Sequence, residues 1–152
     1  MQFQLIISDA SCFIALSNIG ELDILQLVYG KIVTTPEIAN EFGEDLPDWV
    51  EIISVSNRER QQIFEEKVDK GEASAIALAL ESENPLLILD DSKARKFAKK
   101  LGLNHIGTIG IILAAKRKGI IPAVKPLLEK IKQTNFRLTP ELEIQMLAQA
   151  NE

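Results

Sequence analysis

Short apolar runs alternate with amphipathic stretches along the whole chain. Residues 86–89, Leu-Leu-Ile-Leu, have no polar interruption and read as a strand covered on both faces. Residues 3–8, 31–35 and 104–108 read as further strands, and 50–56 alternates with β-branched residues as an edge strand would. Between them lie helical patterns. Residues 11–19 form one, and 21–28 another, with Leu22, Leu25, Leu27 and Val28 and a stop at Gly30. Pro36 stands at a helix start that runs to the breaker Gly43. A very polar helix covers 57–69, and Gly71 divides it from an alanine-rich helix at 72–83. Residues 92–101 turn Ala94, Phe97, Ala98 and Leu101 inward, and 109–118, 122–133 and 140–150 complete the helices.

Strands separated by helices predict a parallel sheet with helices on both faces: an α/β protein, three layers α/β/α, with about four to five strands. In such sheets ligands bind beyond the carboxyl ends of the strands. Acids collect there. Asp9 ends the first strand, and Asp90 and Asp91 end the most apolar later one. Glu37 and Glu41 share a face of the helix after the second strand, and Glu72 opens the alanine-rich helix. Each has an ordinary structural explanation. Asp9 caps the helix at 11, with Ser11 sharing the role, Asp91 caps the helix at 92, and Glu37 and Glu72 complement helix dipoles. Capping does not explain two adjacent carboxylates at 90–91, nor the lack of a basic residue near Asp9. Converging carboxylates repel strongly unless a divalent ion sits among them.

Composition narrows the choice of ion. A length of 152 residues suits one domain over 1–152. Almost half the residues are hydrophobic, yet no apolar run is long enough to span a bilayer. The opening MQFQLIISDA lacks a basic leader region and reads as a strand rather than a signal peptide. A single cysteine, Cys12, excludes an internal disulfide and points to a reducing cytoplasm. With His105 the only histidine, zinc is excluded, which leaves a hard, oxygen-bound ion such as Mg²⁺ or Mn²⁺ and no organic cofactor. A net charge of −5 argues against coating nucleic acid by bulk electrostatics. It does not argue against a phosphodiester met through metal ions.

The stretches IISDASCFIAL, TTPEIANEF, GEASAIALAL and LLILDDSKAR, in that order, resemble the PIN-domain family, and most closely a compact prokaryotic branch related to VapC-type toxins. The resemblance covers about residues 3–120. It implies a metal-dependent endoribonuclease of three-layer α/β/α fold, acting on RNA, with a small antitoxin as a further partner. It aligns Asp9 and Ser11 with the first motif of the family and Pro36, Ile38, Glu41 and Phe42 with the second, so Glu41 is preferred to Glu37. Glu72 takes the third acidic position, where the toxins usually carry Asp. Asp90 or Asp91 takes the fourth, though Lys93 and Ala94 follow where the toxins commonly show Asp-x-Asp-Phe. Catalytic candidates are then Asp9, Glu41, Glu72, Asp90 and Asp91, with Asp9, Glu72, Asp90 and Asp91 as metal ligands. Thr108, in the segment GTIG, is a candidate holder of a metal-bound water.

The chemistry fits these residue types on its own terms, since one or two Mg²⁺ ions need only a few carboxylates and no histidine. His105 reads as structural. Lys93 and Arg95 stand close enough to the acids to touch a substrate phosphate, while their neighbours form a solvated face. Aromatic residues do not interleave with basic ones, so base stacking is not visible. The stripe Leu142, Met146 and Ala150, with Ile144 and Leu147 beside it, suggests a homodimer contact. Two rivals remain. A phosphoacceptor receiver would place its acid pair early and a Lys after a late strand, the reverse of this order. A non-catalytic interaction module would keep these acids only as caps.

Overall fold

A computed structural model describes residues 3–152; Met1 and Gln2, the start of the 1–152 span, lie outside the described residues. Five parallel strands form one sheet in the order β3-β2-β1-β4-β5: β1 (Leu5–Ser8), β2 (Ile32–Thr34), β3 (Val50–Ile52), β4 (Pro85–Ile88) and β5 (Asn104–Ile106). Among the described residues nine helices flank it, giving the three-layer α/β/α architecture expected. They are α1 (Ala10–Asn18), α2 (Ile24–Tyr29), α3 (Pro36–Phe42), α4 (Arg58–Phe64), α5 (Lys70–Leu80), α6 (Ser92–Lys100), α7 (Thr108–Arg117), α8 (Lys125–Lys132) and α9 (Pro140–Gln149).

The apolar run at β4 is buried on both faces, with Leu87, Ile88 and Leu89 fully enclosed. Each such side chain contributes roughly 1.5–3 kcal/mol relative to exposure. The alanines of α5 allow it to lie close against β1 and β4. β3 is at the edge, as its alternation predicts, but spans only Val50–Ile52 rather than 50–56, with Ile52 half exposed.

Three helix boundaries also differ from the sequence reading. The polar stretch 57–69 is not one helix: α4 ends at Phe64, and turns carry the chain to Asp69. Gly71 is not a divider but lies inside the first turn of α5. The cause is a capping box. Asp69 accepts from the Glu72 N–H at 2.8 Å, and the Glu72 carboxylate accepts from the Asp69 N–H at 3.2 Å, so the helix starts earlier than its alanines suggest. α8 starts only at Lys125, with Pro126 in its first turn. In α9 the stripe packs partly on the chain's own core through Leu142, Met146, Leu147 and Ala150, while Ile144 points outward at 68% exposure.

Candidate active site

From β1 the chain steps outward through β2 and β3, then returns to the other side of β1 with β4. The strand order therefore reverses between β1 and β4, the place where open α/β sheets leave a crevice at their carboxyl ends. Ser8 pairs with Ile88 in register, so the next residues, Asp9 and the pair Leu89-Asp90, leave the sheet side by side. Asp9 is 3% exposed. Its Oδ1 accepts from the Cys12 N–H at 2.9 Å, capping α1, and its Oδ2 accepts from the Asp90 N–H at 3.1 Å across the crevice. Burial first, and then the facing Asp90 carboxylate, raise the Asp9 pKa from 3.8 to about 8, against the pull of those two N–H groups.

Asp90 is oriented from the opposite side. Thr108, fully buried at the start of α7, donates its N–H to Oδ1 at 2.8 Å and its hydroxyl to Oδ2 at 2.5 Å. Burial raises the Asp90 pKa, while Thr108 and the Arg95 guanidinium lower it, and burial prevails. Thr108 thus acts on a carboxylate, and its hydroxyl proton is committed to Asp90. Thr108→Val keeps the shape and the N–H bond but leaves one buried carboxylate oxygen without its hydroxyl partner. The expected result is a loss of about 1–3 kcal/mol in denaturant unfolding, with an unfolded variant or no change as the contrary outcomes.

Glu72 faces the same crevice. Burial, then Asp69, and then Asp91 raise its pKa to about 7, although the Asp69 N–H pulls down. Its charge also reaches Asp9. Asp91 points outward. It caps α6 by accepting from the Ala94 N–H at 2.9 Å, the ordinary role anticipated for it, yet its charge bears on Glu72. Of the adjacent pair, Asp90 is therefore the inward carboxylate and Asp91 the rim. Glu41 reaches over Gly71, where an added Cβ would lie 2.7 Å from Glu41 Oε1, and burial followed by Asp69 raises its pKa. Glu37 lies apart. Burial pushes its pKa up, but hydrogen bonds from Gln61 at 2.5 Å and Arg58 at 3.0 Å hold it below the ordinary value.

The remaining candidates divide. Lys93 lines an open groove of about 350 Å³ with Glu65, Asp69, Glu72 and Asp91. Arg95 lies beside Asp90 and donates through Nε to His105 Nδ1 at 3.4 Å, so His105 is a support for the guanidinium. Ser11 is exposed in the first turn of α1 and, among the described residues, makes no hydrogen bond to the carboxylates. Cys12 is fully buried; burial, then Asp9 and Asp90, push its thiol up, so it stays protonated and is no nucleophile.

Two features escaped the sequence reading. Asp69 joins the acids, and the signal was the Asp-x-x-Glu spacing ahead of an apolar run. A buried hydroxyl chain fixes the helices that carry Glu41 and Glu72. The Thr35 and Ser74 hydroxyls are 2.7 Å apart, Ser74 donates to the Gly71 carbonyl at 2.6 Å, and Thr34 donates to the Ser8 carbonyl at 2.9 Å. No periodicity marks such a network.

Among the described residues none of Asp9, Glu41, Asp69, Glu72, Asp90 and Asp91 forms an ion pair. Nor do three or more His, Cys, Asp or Glu side chains there stand so as to hold one metal ion. All of these carboxylates except Glu41 accept instead from backbone N–H groups or from Thr108. The donor set, all carboxylate oxygen with unpaired charge, fits a hard divalent cation in its chemistry. Coordination calls for some oxygens to exchange those partners for the ion.

A parallel sheet between two helical layers, with carboxylates at its switch point, defines an open α/β protein of the class whose ligands meet the sheet at the strand ends. More narrowly, residues 5–152 match a family model described as PIN domain, and the chain belongs to that family. PIN domains are typically nucleases that act on RNA or DNA and generally use divalent metals. No curated protein and no solved structure gives a significant match. Among the described residues no helix is long and apolar enough to cross a membrane.

Proposed function

We propose that the chain, acting as one domain over 1–152 in the cytoplasm, is a metal-dependent endoribonuclease. The observation that supports this reading is that Asp9 and Asp90 face each other at the switch point, with Glu72 near enough for its charge to raise Asp9 and with no ion pair to any of the three among the described residues. Asp9, Asp90 and Glu72 would hold Mg²⁺ or Mn²⁺, with Asp91 and Glu41 at the rim. The bound ion supplies an acidified water and offsets charge on the phosphate. The protein's own part is orientation: the Asp90 N–H holds Asp9, Thr108 holds Asp90, and the Thr35–Ser74 contact ties α3 to α5. Lys93 and Arg95 provide positive charge at the edges for the phosphate chain. We further propose that the protein works as the toxin of a toxin–antitoxin pair, and as a homodimer to which the exposed Ile144 face of α9 contributes.

The test is cleavage of an end-labelled single-stranded RNA. Cleavage is expected with Mn²⁺ or Mg²⁺ and is expected to vanish in chelator. Intact RNA under both ions, from a protein that sediments and melts as a folded species, overturns the nuclease. A monomer at about ten micromolar in the same sedimentation run overturns the dimer alone. One observation favours a second reading, a non-catalytic interaction module: Asp9, Asp69 and Asp91 all serve as helix caps.

A further inference from the structure

Beside Asp90 lies a more enclosed cavity of about 280 Å³ with a different character from the acidic groove. Its walls come from α6, β5, the start of α7, the connection between α8 and α9, and α9 itself. Arg95 and Arg137 bring two guanidinium groups to it, Phe136 an aromatic ring, and Leu142 and Met146 an apolar back wall. Arg95 is held through Nε by His105, which keeps its plane fixed and leaves its other nitrogens available. Glycine keeps the passage to the carboxylate open. A Cβ at Gly107 would lie 3.1 Å from Asp90 Oδ1 and 3.8 Å from Arg95 Nη1, filling the space between them. At the start of α7 the N-cap residue Gly107 has no side chain to offer, and the Thr108 N–H there is taken by Asp90 Oδ1.

The connection that carries Phe136 and Arg137 is tied at both sides. Thr134 donates its hydroxyl to the Ile131 carbonyl at 2.6 Å, and its Oγ1 accepts from the Phe136 N–H at 3.2 Å. Beyond it, Thr139 caps α9 by accepting from the Leu142 N–H at 3.2 Å. Aromatic and cationic groups are thus brought together beside the acids by residues far apart in sequence.

We infer that this cavity is the subsite for one unpaired nucleotide of the RNA, next to the phosphate being cut. Arg95 and Arg137 take the neighbouring phosphate, and Phe136 packs against the base. Two guanidinium groups suit phosphate oxygens, which they engage as paired donors. A ring against a base is the mode by which single strands are held without sequence reading, and a base inside a duplex is not free to enter. The inference rests on the reading of the adjacent carboxylates as a nuclease centre, and it predicts a preference for single-stranded substrate.

The experiment measures binding of a fluorescein-labelled single-stranded RNA octamer in chelator, so that no cleavage occurs, alongside cleavage kinetics in Mn²⁺. Arg137 is exposed, so Arg137→Gln is expected to fold normally and weaken binding about fivefold to tenfold. The slope of log K against log salt should shrink by about 0.7, the mark of one lost phosphate contact on a single strand. Phe136→Leu should weaken the single strand about tenfold while leaving a duplex of the same sequence unchanged. In Mn²⁺ both changes should raise KM with kcat nearly constant. Wild-type affinity and salt slope in a folded Arg137→Gln protein overturn the subsite. RNA bound through these residues but never cut upholds the subsite and rejects the nuclease; RNA cut with unchanged affinity in both variants does the reverse.

Discussion

Asp9→Asn is expected to lower RNA cleavage by about a hundredfold or more while the metal-free protein stays folded and becomes more stable than wild type in mildly alkaline buffer. The two effects have one origin. In the fold without metal, burial and Asp90 place the Asp9 pKa at about 8, above its ordinary 3.8. A raised folded-state value means that the protonated form favours folding. That contribution is complete below about pH 4 and is lost as pH rises through about 8. Asn never ionises, so the variant escapes the loss, and its stability advantage over wild type should widen between about pH 5 and pH 9. There is an opposing term. Both Asp9 oxygens accept backbone N–H groups, and an amide can present an oxygen to only one of them. That cost of about 1 kcal/mol is counted against the ionised carboxylate, so it trims the variant's advantage at alkaline pH, while at the acidic end, where wild-type Asp9 is protonated, the two proteins should lie close together. Melting curves in chelator across this range, paired with cleavage in Mn²⁺, make the check. The exposed edge-strand variant Glu51→Gln, which loses only an ion pair to Lys31, serves as the control. An Asp9→Asn protein that cuts like wild type, or is inactive only because it has unfolded, removes Asp9 from the centre.

Divalent ions are expected to stabilise the protein, and to do so increasingly as pH rises. An ion that binds the folded state alone adds RT ln(1 + [L]/Kd), so a concentration of about a hundred times Kd contributes roughly 2.7 kcal/mol. Its ligands must be ionised. Without metal, Asp9 at about 8 and Glu72 at about 7 hold protons near neutrality, so binding must displace them. Mn²⁺ at low-millimolar concentration should therefore raise the melting temperature clearly at about pH 8 and little at about pH 5. Calorimetry in two buffers of different ionisation enthalpy should show proton release. Ca²⁺ should stabilise as well yet support cleavage poorly, its looser coordination being ill suited to the chemistry. Melting curves that do not respond to any divalent ion at any pH would leave the acids as helix caps and favour the interaction module.

The capping bonds shape how such a site works. Glu72 holds the Asp69 N–H in a capping box, and Asp9 holds α1 and Asp90 together, so the carboxylates are fixed by the same bonds that start the helices. An ion would have to draw some of these oxygens away from the N–H groups that now hold them. Its gain is to offset the burial that raises Asp9, Asp90 and Glu72, together with the like charge that Asp90 and Glu72 bring to Asp9 and that Asp69 and Asp91 bring to Glu72.

Much of the architecture was legible in the order of residues. Uninterrupted apolar runs at β1 and β4, with amphipathic helices between, specified a parallel sheet, because only a strand covered on both faces tolerates such a run. The acids at the strand ends were visible for the same reason: a parallel sheet sends every carboxyl end to one edge. Sequence alone also marked Asp9 and Asp91 as caps, since capping is a bond within three residues. Tertiary structure decided the rest. That Asp90 faces inward while Asp91 caps α6 depends on Thr108, eighteen residues away along the chain. Asp69 joined the acids through the turn that ends the stretch 57–69, where helical periodicity misled. The Thr35–Ser74 contact links residues thirty-nine apart, and Phe136 and Arg137 reach the cavity beside Asp90 only because α9 packs back against α7. Local bonds leave a local pattern in a sequence; contacts made by packing distant segments leave none, and here those contacts orient the charges.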